Sequence, residues 1–376
     1  MLKRHSRRKF LLHGSAALGA TTLLKACTST PPAADTSEAG TSEAATDTTT
    51  PETAAVSGSP PTAIKFTLDW AIQGVHAPIG VAIEKGYFAD EGLDVSFERG
   101  SGSADSISKV AAGTFDMGFG DINSLMEFNV KNPDTPVKAI AIYYNKSPMA
   151  VMSLAETGIT EPKLLEGKKL GIPSGSATRR LMPLFAQVTG FELTKVEMPA
   201  IEPKLQQTLL LTKEIDAIAP YTISALPNLN KEGYPPDQLD IYRFADVGLD
   251  LYGNAVIAPA GFLEENPEQA KAFLRALTKG LQDTISDPDA AVEIMATYDD
   301  LYEIPLERER LQIAIDTLFL SPEVEANGFG GVDASRFKQT IDQVVQGFEL
   351  GTTPEPEQIF DNQFLPPLAE RTLPTA

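Results

Sequence analysis

The sequence predicts an α/β protein of two lobes. Three observations carry this. Short apolar segments alternate with helix-patterned ones in β-α-β-α-β order from Ile64 to Tyr143. The same order begins again at Lys168. A wholly helical stretch follows the run Tyr252-Gly253-Asn254-Ala255-Val256-Ile257. A chain of 376 residues has room for two domains of ~150 residues each.

The elements follow in order. Ile64 to Leu68 alternates apolar and polar residues as a strand does. Pro78 opens a helix through Ile79, Ala82 and Ile83, and Gly86 ends it. Leu93 to Phe97 is a second strand. Ser103 caps a helix bearing Ile107, Val110 and Ala111, closed by Gly113. Phe115 to Phe119 is a short strand, Asp121 caps a helix through Leu125 and Phe128, and Val137 to Tyr143 is an apolar strand. This order implies a largely parallel sheet. In the second unit, Lys168 to Ile172 reads as a strand. Ser176 caps a helix with Leu181, Leu184, Phe185 and Val188 on one face, ending at Gly190. Val196 leads a strand, Leu205 and Leu209 mark a helix, and Ile215 to Ala219 is another strand. Pro267 opens a helix with Ala270, Phe273, Leu274, Leu277 and Leu281 on one face. Later helices are expected over 288–298, 305–319 and 334–349. Two such units predict a cleft, and small ligands bind in clefts at the carboxyl ends of strands.

The amino terminus reads as an address. Residues 1–26 carry six basic residues and no acidic one. Ser6-Arg7-Arg8-Lys9-Phe10-Leu11-Leu12 resembles a twin-arginine export signal, with Arg7 and Arg8 as its determinant. Leu24-Lys25-Ala26-Cys27 resembles a lipobox, in which cleavage before Cys27 lets lipid modify its thiol. Lipid chains anchor by burying methylenes, at ~0.8 kcal/mol each. Residues 27–61 form a disordered tether. It is mainly Thr, Ser, Ala, Pro, Glu, Asp and Gly without an aromatic, and Thr36-Ser37-Glu38-Ala39 recurs as Thr41-Ser42-Glu43-Ala44. As a coil of this length its ends stand ~30–35 Å apart. The expected organisation is a signal peptide over 1–26, the tether over 27–61, a first lobe over 62–150 and 251–376, and a second lobe over 151–250. Localisation is then outside the cytoplasm, on the periplasmic or cell-surface side of the membrane, anchored at Cys27.

Composition excludes several classes. There are 31 Lys and Arg against 51 Asp and Glu, a net charge of −20. Loss of residues 1–26 leaves 25 basic against 51 acidic residues. Nucleic-acid binding needs a basic footprint and is not expected. No run approaches the ~20 apolar residues of a membrane span. One Cys leaves no internal disulfide and no Cys-based metal cluster. Three His, of which only His76 lies beyond residue 26, leave little for a metal site. There is no Gly-x-Ser-x-Gly elbow and no phosphate loop for ATP. No catalytic residue and no cofactor is expected.

Two stretches resemble a known family. One runs Leu68-Asp69-Trp70, His76, Ala82-Ile83-Glu84-Lys85-Gly86-Tyr87-Phe88 and Glu91-Gly92-Leu93-Asp94-Val95. The other is Val110-Ala111-Ala112-Gly113-Thr114-Phe115-Asp116-Met117-Gly118. They are similar to the substrate-binding proteins of ABC importers for thiamine pyrimidine precursors, sulfonates, taurine and nitrate, over about 62–350. The resemblance implies a type II periplasmic-binding-protein fold. Two α/β lobes would be joined by crossings near 145–152 and 248–256, closing over one ligand. Leu-Asp-Trp followed by a His is most like the pyrimidine-binding branch. The resemblance implies a monomer that delivers a small molecule to a permease and its ATPase. The ligand class stays open between an aminopyrimidine-like heterocycle and a small sulfonate- or nitrate-type anion. An alternative is an enzyme or ligand sensor on the same fold, such as the eukaryotic pyrimidine-precursor synthase. That enzyme uses its own His and a Cys-rich motif, which this chain lacks.

Candidate ligand contacts follow from this fold. Trp70, just past the first strand, can stack on a flat ring. His76, before the first helix, can donate or accept. Gly102 and Ser103 at one helix start, and Ser174, Gly175 and Ser176 at the matching loop, present free N–H groups. Asp121 and Asn123 end the third strand. Tyr144, Tyr221, Tyr252 and Asn254 lie at strand ends or crossings. Arg179 and Arg180 read as surface charges and Tyr87-Phe88 as core. Asp299-Asp300 and the Glu307–Glu309 cluster read as solvated helix faces.

Overall fold

The computed structural model describes residues 60–374. The expected export signal at Arg7 and Arg8, the anchor at Cys27 and nearly all of the tether lie outside the described residues.

Nine strands form two sheets. The first holds β1 (Thr62–Thr67), β2 (Leu93–Glu98), β3 (Met117–Asp121), β4 (Val137–Ile142) and β9 (Asn254–Pro259), ordered β2-β1-β3-β9-β4. The second holds β5 (Ala150–Leu154), β6 (Leu170–Gly171), β7 (Ala217–Ile218) and β8 (Leu239–Arg243), ordered β6-β7-β5-β8. The chain crosses to the second sheet between Ile142 and Ala150 and returns between Arg243 and Asn254.

Neither sheet is wholly parallel. β1 pairs parallel with β2 and β3, but β9 is antiparallel to both β3 and β4. In the second sheet β6 and β7 are parallel, while β5 is antiparallel to β7 and β8. The reversed strands are the two that follow a crossing. The other strands run toward the cleft and end there. A strand that enters its lobe from a crossing starts at the cleft and must run away from it. β5 and β8 are not among the elements expected from the sequence; β5 is a short, wholly buried run that reads equally well as helix or strand. Val196 does not lead a strand; Lys169–Glu197 and Ile172–Ala200 are single bridges.

Helices cover both faces of each sheet. In the first lobe these are α1 (Ala77–Glu84), α2 (Tyr87–Asp90), α3 (Ser103–Ala111) and α4 (Ile122–Lys131). In the second lobe they are α5 (Ala177–Thr189), α6 (Gln206–Leu211) and α7 (Thr222–Lys231). The return leg supplies α8 (Ala260–Glu265), α9 (Pro267–Ser286), α10 (Pro288–Met295), α11 (Ile304–Ala314), α12 (Pro322–Asn327) and α13 (Ala334–Gly347). The expected α9 face, from Ala270 to Leu281, is buried against the first sheet with Phe66 and Phe88. Phe66 stacks on Phe273 with ring centres 5.2 Å apart. The opposite face of that sheet is covered by Ile107, Leu125, Phe337 and Ile341. In the second lobe Leu181 and Phe185 cover one face, and Ala225 and Leu229 the other. Among the described residues no helix is long and apolar enough to cross a membrane.

One expectation about surface charge fails. Asp300 and Glu309 are exposed, but Glu307 is only 6% exposed. It pairs with Arg310 and accepts the Gly74 N–H at 2.7 Å, so this helix face is an internal contact. A Cβ on Gly74 would lie 2.2 Å from the Glu307 carbonyl oxygen, so only glycine lets the two segments meet.

Candidate functional site

A cavity of about 550 Å³ lies between the sheets. Its first-lobe wall follows the ends of β1 and β2, from Asp69 to His76 and from Arg99 to Ser103. Its second-lobe wall comes from Pro173, from Ser176 to Thr178, and from residues within 202–207 and 219–228. Most of these segments follow the carboxyl ends of strands, where open α/β sheets bind ligands.

The loop after β1 is stitched to the loop after β2. Gly102 N–H donates to the Asp69 carbonyl at 2.7 Å, and Gly100 N–H to that of Trp70 at 2.9 Å. Trp70 is held in the cavity wall partly uncovered, and among the described residues it makes no aromatic pair. The uncovered part of the indole is therefore open to the cavity.

His76 is 1% exposed and both of its ring nitrogens are engaged. Nδ1 accepts the Gln73 N–H at 3.2 Å, and a backbone amide can only donate. The proton is thus on Nε2, which donates to Asp69 Oδ1 at 3.1 Å. Held this way, His76 is spent on orienting Asp69. Asp69, 4% exposed and lining the cavity, has no protein donor on its second oxygen among the described residues. Its second oxygen is thus an acceptor left without a protein donor in the cavity wall. In the sequence Asp69 stands out only as part of the Leu68-Asp69-Trp70 motif, because its orientation depends on where His76 sits.

The other predicted residues divide. Gly102, Ser103, Tyr144, Ser176 and Tyr221 line the same cavity as Trp70 and His76. Ser103 and Ser176 stand at the starts of α3 and α5. The Ser176 hydroxyl accepts the Arg179 N–H at 3.3 Å as a cap. Gly102 has φ +128°, and a Cβ there would sit 2.1 Å from the Gly175 carbonyl oxygen. The lobes touch at this point, where Ala104 N–H donates to that oxygen at 3.1 Å. Gly175 thus acts through its backbone as a contact between lobes, not as cavity lining. Burial, with Asp69 nearby, pushes the Tyr144 and Tyr221 phenols well above their ordinary range, so both stay protonated donors.

Asp121, Asn123, Ser174, Tyr252 and Asn254 do not line the cavity. Asp121 is fully buried and caps α4, its Oδ1 accepting the Ser124 N–H at 2.8 Å. Burial raises its carboxyl pKa to about 6. Asn123 donates to the Tyr252 carbonyl at 2.8 Å. Asn254 is buried behind Tyr221, whose hydroxyl donates to it at 3.1 Å. Ser174 is exposed on a neighbouring groove. Tyr252 is fully buried and turns away from the cavity, its hydroxyl donating to Glu323 Oε1 at 2.6 Å under the Arg336 guanidinium. A strand end faces the cleft only on alternate residues, and the sequence does not show which. Arg179 is not a free surface charge; it donates to the carbonyls of Ile172 and Met198. Sequence reasoning missed Gln73, Arg99, Gln206, Ser224 and Asn228, all of them cavity lining. The last three arrive on α6 and α7, where no motif marks them.

Comparison with known proteins now decides the family. The NMT1/THI5-like family model matches residues 73–291. The chain belongs to this family. It is 26% identical over 279 residues to the formylaminopyrimidine-binding protein of Halalkalibacterium halodurans, covering 74% of this chain and 83% of that protein. It is 25% identical over 296 residues to the riboflavin-binding protein RibY of Chloroflexus aurantiacus, covering 77% and 82%. It is also 27% identical over 262 residues to the 4-amino-5-hydroxymethyl-2-methylpyrimidine phosphate synthase of Aspergillus parasiticus, covering 65% and 73%. Among solved structures, the alkanesulfonate-binding protein SsuA of Xanthomonas axonopodis pv. citri superposes with a TM-score of 0.61 at 10% identity. That match covers 80% of this chain and 97% of SsuA. This NMT1/THI5-like chain therefore has the two-lobed periplasmic-binding fold that its strands and crossings describe.

Proposed function

We propose that this protein is the solute-binding component of an ABC importer, and that it captures a flat, amino-bearing heterocycle of the aminopyrimidine class. The observation that carries the ligand class is the pairing of a partly uncovered indole, Trp70, with an oriented acceptor, Asp69, in one cavity. Stacking favours a flat ring, and the carboxylate favours an exocyclic N–H. The size agrees: about 550 Å³ suits an organic ligand and would leave nitrate surrounded by water. Two of the relatives above are named for binding a formylaminopyrimidine and riboflavin, both flat nitrogen heterocycles.

Binding, not catalysis, is the role we assign, although a synthase stands among the relatives. His76 supports this, since neither ring nitrogen is left for a bound molecule. We further propose an exported monomer with Arg7 and Arg8 as its export signal and a lipid anchor at Cys27. The lobes would be 62–150 with 251–376, and 151–250, and they would deliver ligand to a permease and its ATPase.

Calorimetric titration with formylaminopyrimidine, riboflavin, an alkanesulfonate and nitrate tests the ligand class. Micromolar or tighter binding of a heterocycle, with the two anions silent, is the expected result. Tight binding of an anion alone would overturn the heterocycle assignment.

A further inference from the structure

One buried cation on the first lobe reaches across to the second. Arg310 lies on α11 three residues after Glu307, and the two are 2% and 6% exposed. Arg310 Nη1 donates to Glu307 Oε1, and Glu307 Oε2 accepts the Gly74 N–H. The other guanidinium donors leave the first lobe. Nε donates to the Ile223 carbonyl at 3.1 Å. Nη2 donates to the Ser224 carbonyl at 3.3 Å and to Asn228 Oδ1 at 3.0 Å. All three acceptors belong to α7.

That helix has two loyalties. Ala225 and Leu229 root it in the second lobe, packed with Ala150, Met152 and Ile218. Ile223 packs into the first lobe's core instead. Ser224 donates its hydroxyl to Gln73 Oε1 at 2.9 Å. Ile223, Ser224 and Asn228 also line the cavity.

The geometry separates what would persist from what would break if the lobes parted. Glu307 and Arg310 share one helix, so their pair survives any movement of α7. The bonds to Ile223, Ser224 and Asn228 exist only while α7 rests on α11. A planar fork can reach three acceptors in fixed directions while facing Glu307, which an ammonium on a flexible stem cannot do. On its other side Glu307 holds Gly74, in the turn that carries Gln73 and His76.

We propose that Arg310 is a positioning residue that latches α7 to α11, coupling closure of the lobes to the turn that orients Asp69 and His76. The inference rests on the solute-binding reading for its purpose, but its physical content is a closure equilibrium that can be measured without ligand. The affinity of a site assembled by closure scales with the fraction of molecules that are closed.

The test uses the full chain carrying Cys27→Ser, with spin labels at Asp94→Cys on β2 and Asp237→Cys in the second lobe, both exposed positions. Distance distributions are recorded alone and with formylaminopyrimidine, and affinity by titration. Arg310→Met should move population to longer distances and weaken formylaminopyrimidine binding on the order of tenfold. Arg310→Lys keeps a cation beside Glu307, so folding is protected, yet it should behave like the Met variant in both readouts. If Arg310→Lys restores the parent distances and affinity, the residue serves only to neutralise Glu307 and the latch is overturned. Unchanged distances in both variants, with only the melting temperature lowered, overturn it as well. If formylaminopyrimidine fails to bind the parent protein, that choice of heterocycle fails, while the ligand-free distances still decide the latch.

Discussion

Trp70→Ala separates a ligand-stacking residue from a packing one. The indole is partly covered in the cavity wall and makes no aromatic pair among the described residues. A fully covered Trp buries ~150–250 Å²; a partly covered one leaves roughly 50 Å² for a ligand to cover. At about 25 cal/mol per Å² that area contributes ~1.2 kcal/mol, and stacking adds ~0.5–1.5 kcal/mol. The variant should therefore lose ~1.7–2.7 kcal/mol of binding, or about 20- to 100-fold in affinity. Stability should fall by less than the ~3–5 kcal/mol typical of a core Trp. Trp70 is the only Trp in the chain, so a change in indole emission on titration with formylaminopyrimidine reports this residue alone. Calorimetry and thermal melting of the same variant complete the assay. Parent-like affinity with a collapsed melting temperature would refute the reasoning and leave Trp70 as packing.

Other expectations follow from burial, backbone and sequence. The Asp121 carboxyl, raised by burial from 3.8 to about 6, holds its proton more tightly folded than unfolded. Its contribution is therefore most favourable below about pH 4 and is lost as pH rises through 6, by up to ~3 kcal/mol. Asp121→Asn keeps a capping oxygen but cannot titrate. In chemical denaturation the parent should gain on this variant as pH falls from 7 to 4, and a gap that is flat or opposite in sign contradicts the burial argument. Gly102→Ala puts a Cβ against the Gly175 carbonyl at a backbone angle that favours glycine. It should hold the lobes apart and cost more than tenfold in affinity, on top of ~1–3 kcal/mol of backbone strain; parent-like scattering and affinity would show that the Gly102–Gly175 contact does not gate closure. Cys27→Ala should release the protein from membranes into the soluble fraction, and retention after a salt wash would exclude the lipid anchor.

Much of the fold was legible because local rules wrote it. The α9 face from Ala270 to Leu281 repeats at helical spacing, and that face is the one buried on the first sheet. Ser176 and Asp121 were recognisable as caps, since a cap is decided within four residues. The turn-and-strand wording around Trp70 and Gly86 carried the family. What the sequence could not supply was anything fixed by residues far apart in the chain. The reversed strands β5 and β9 follow from the side on which a crossing enters each lobe, not from their own residues. Glu307 looked like a solvated helix carboxylate until Gly74, 233 residues away, was seen to donate to it. The site shows the same division. Trp70 and His76 could be placed beside the cleft by position alone, but the hydrogen bonding of His76 was decided by two partners that fix its proton. Those partners fix Asp69 in the cavity wall, and Asp121 became a buried cap because the strand end turned it away from the cleft. Spacing determines which residues share an element and a face; only the packing of one lobe on the other determines which faces meet.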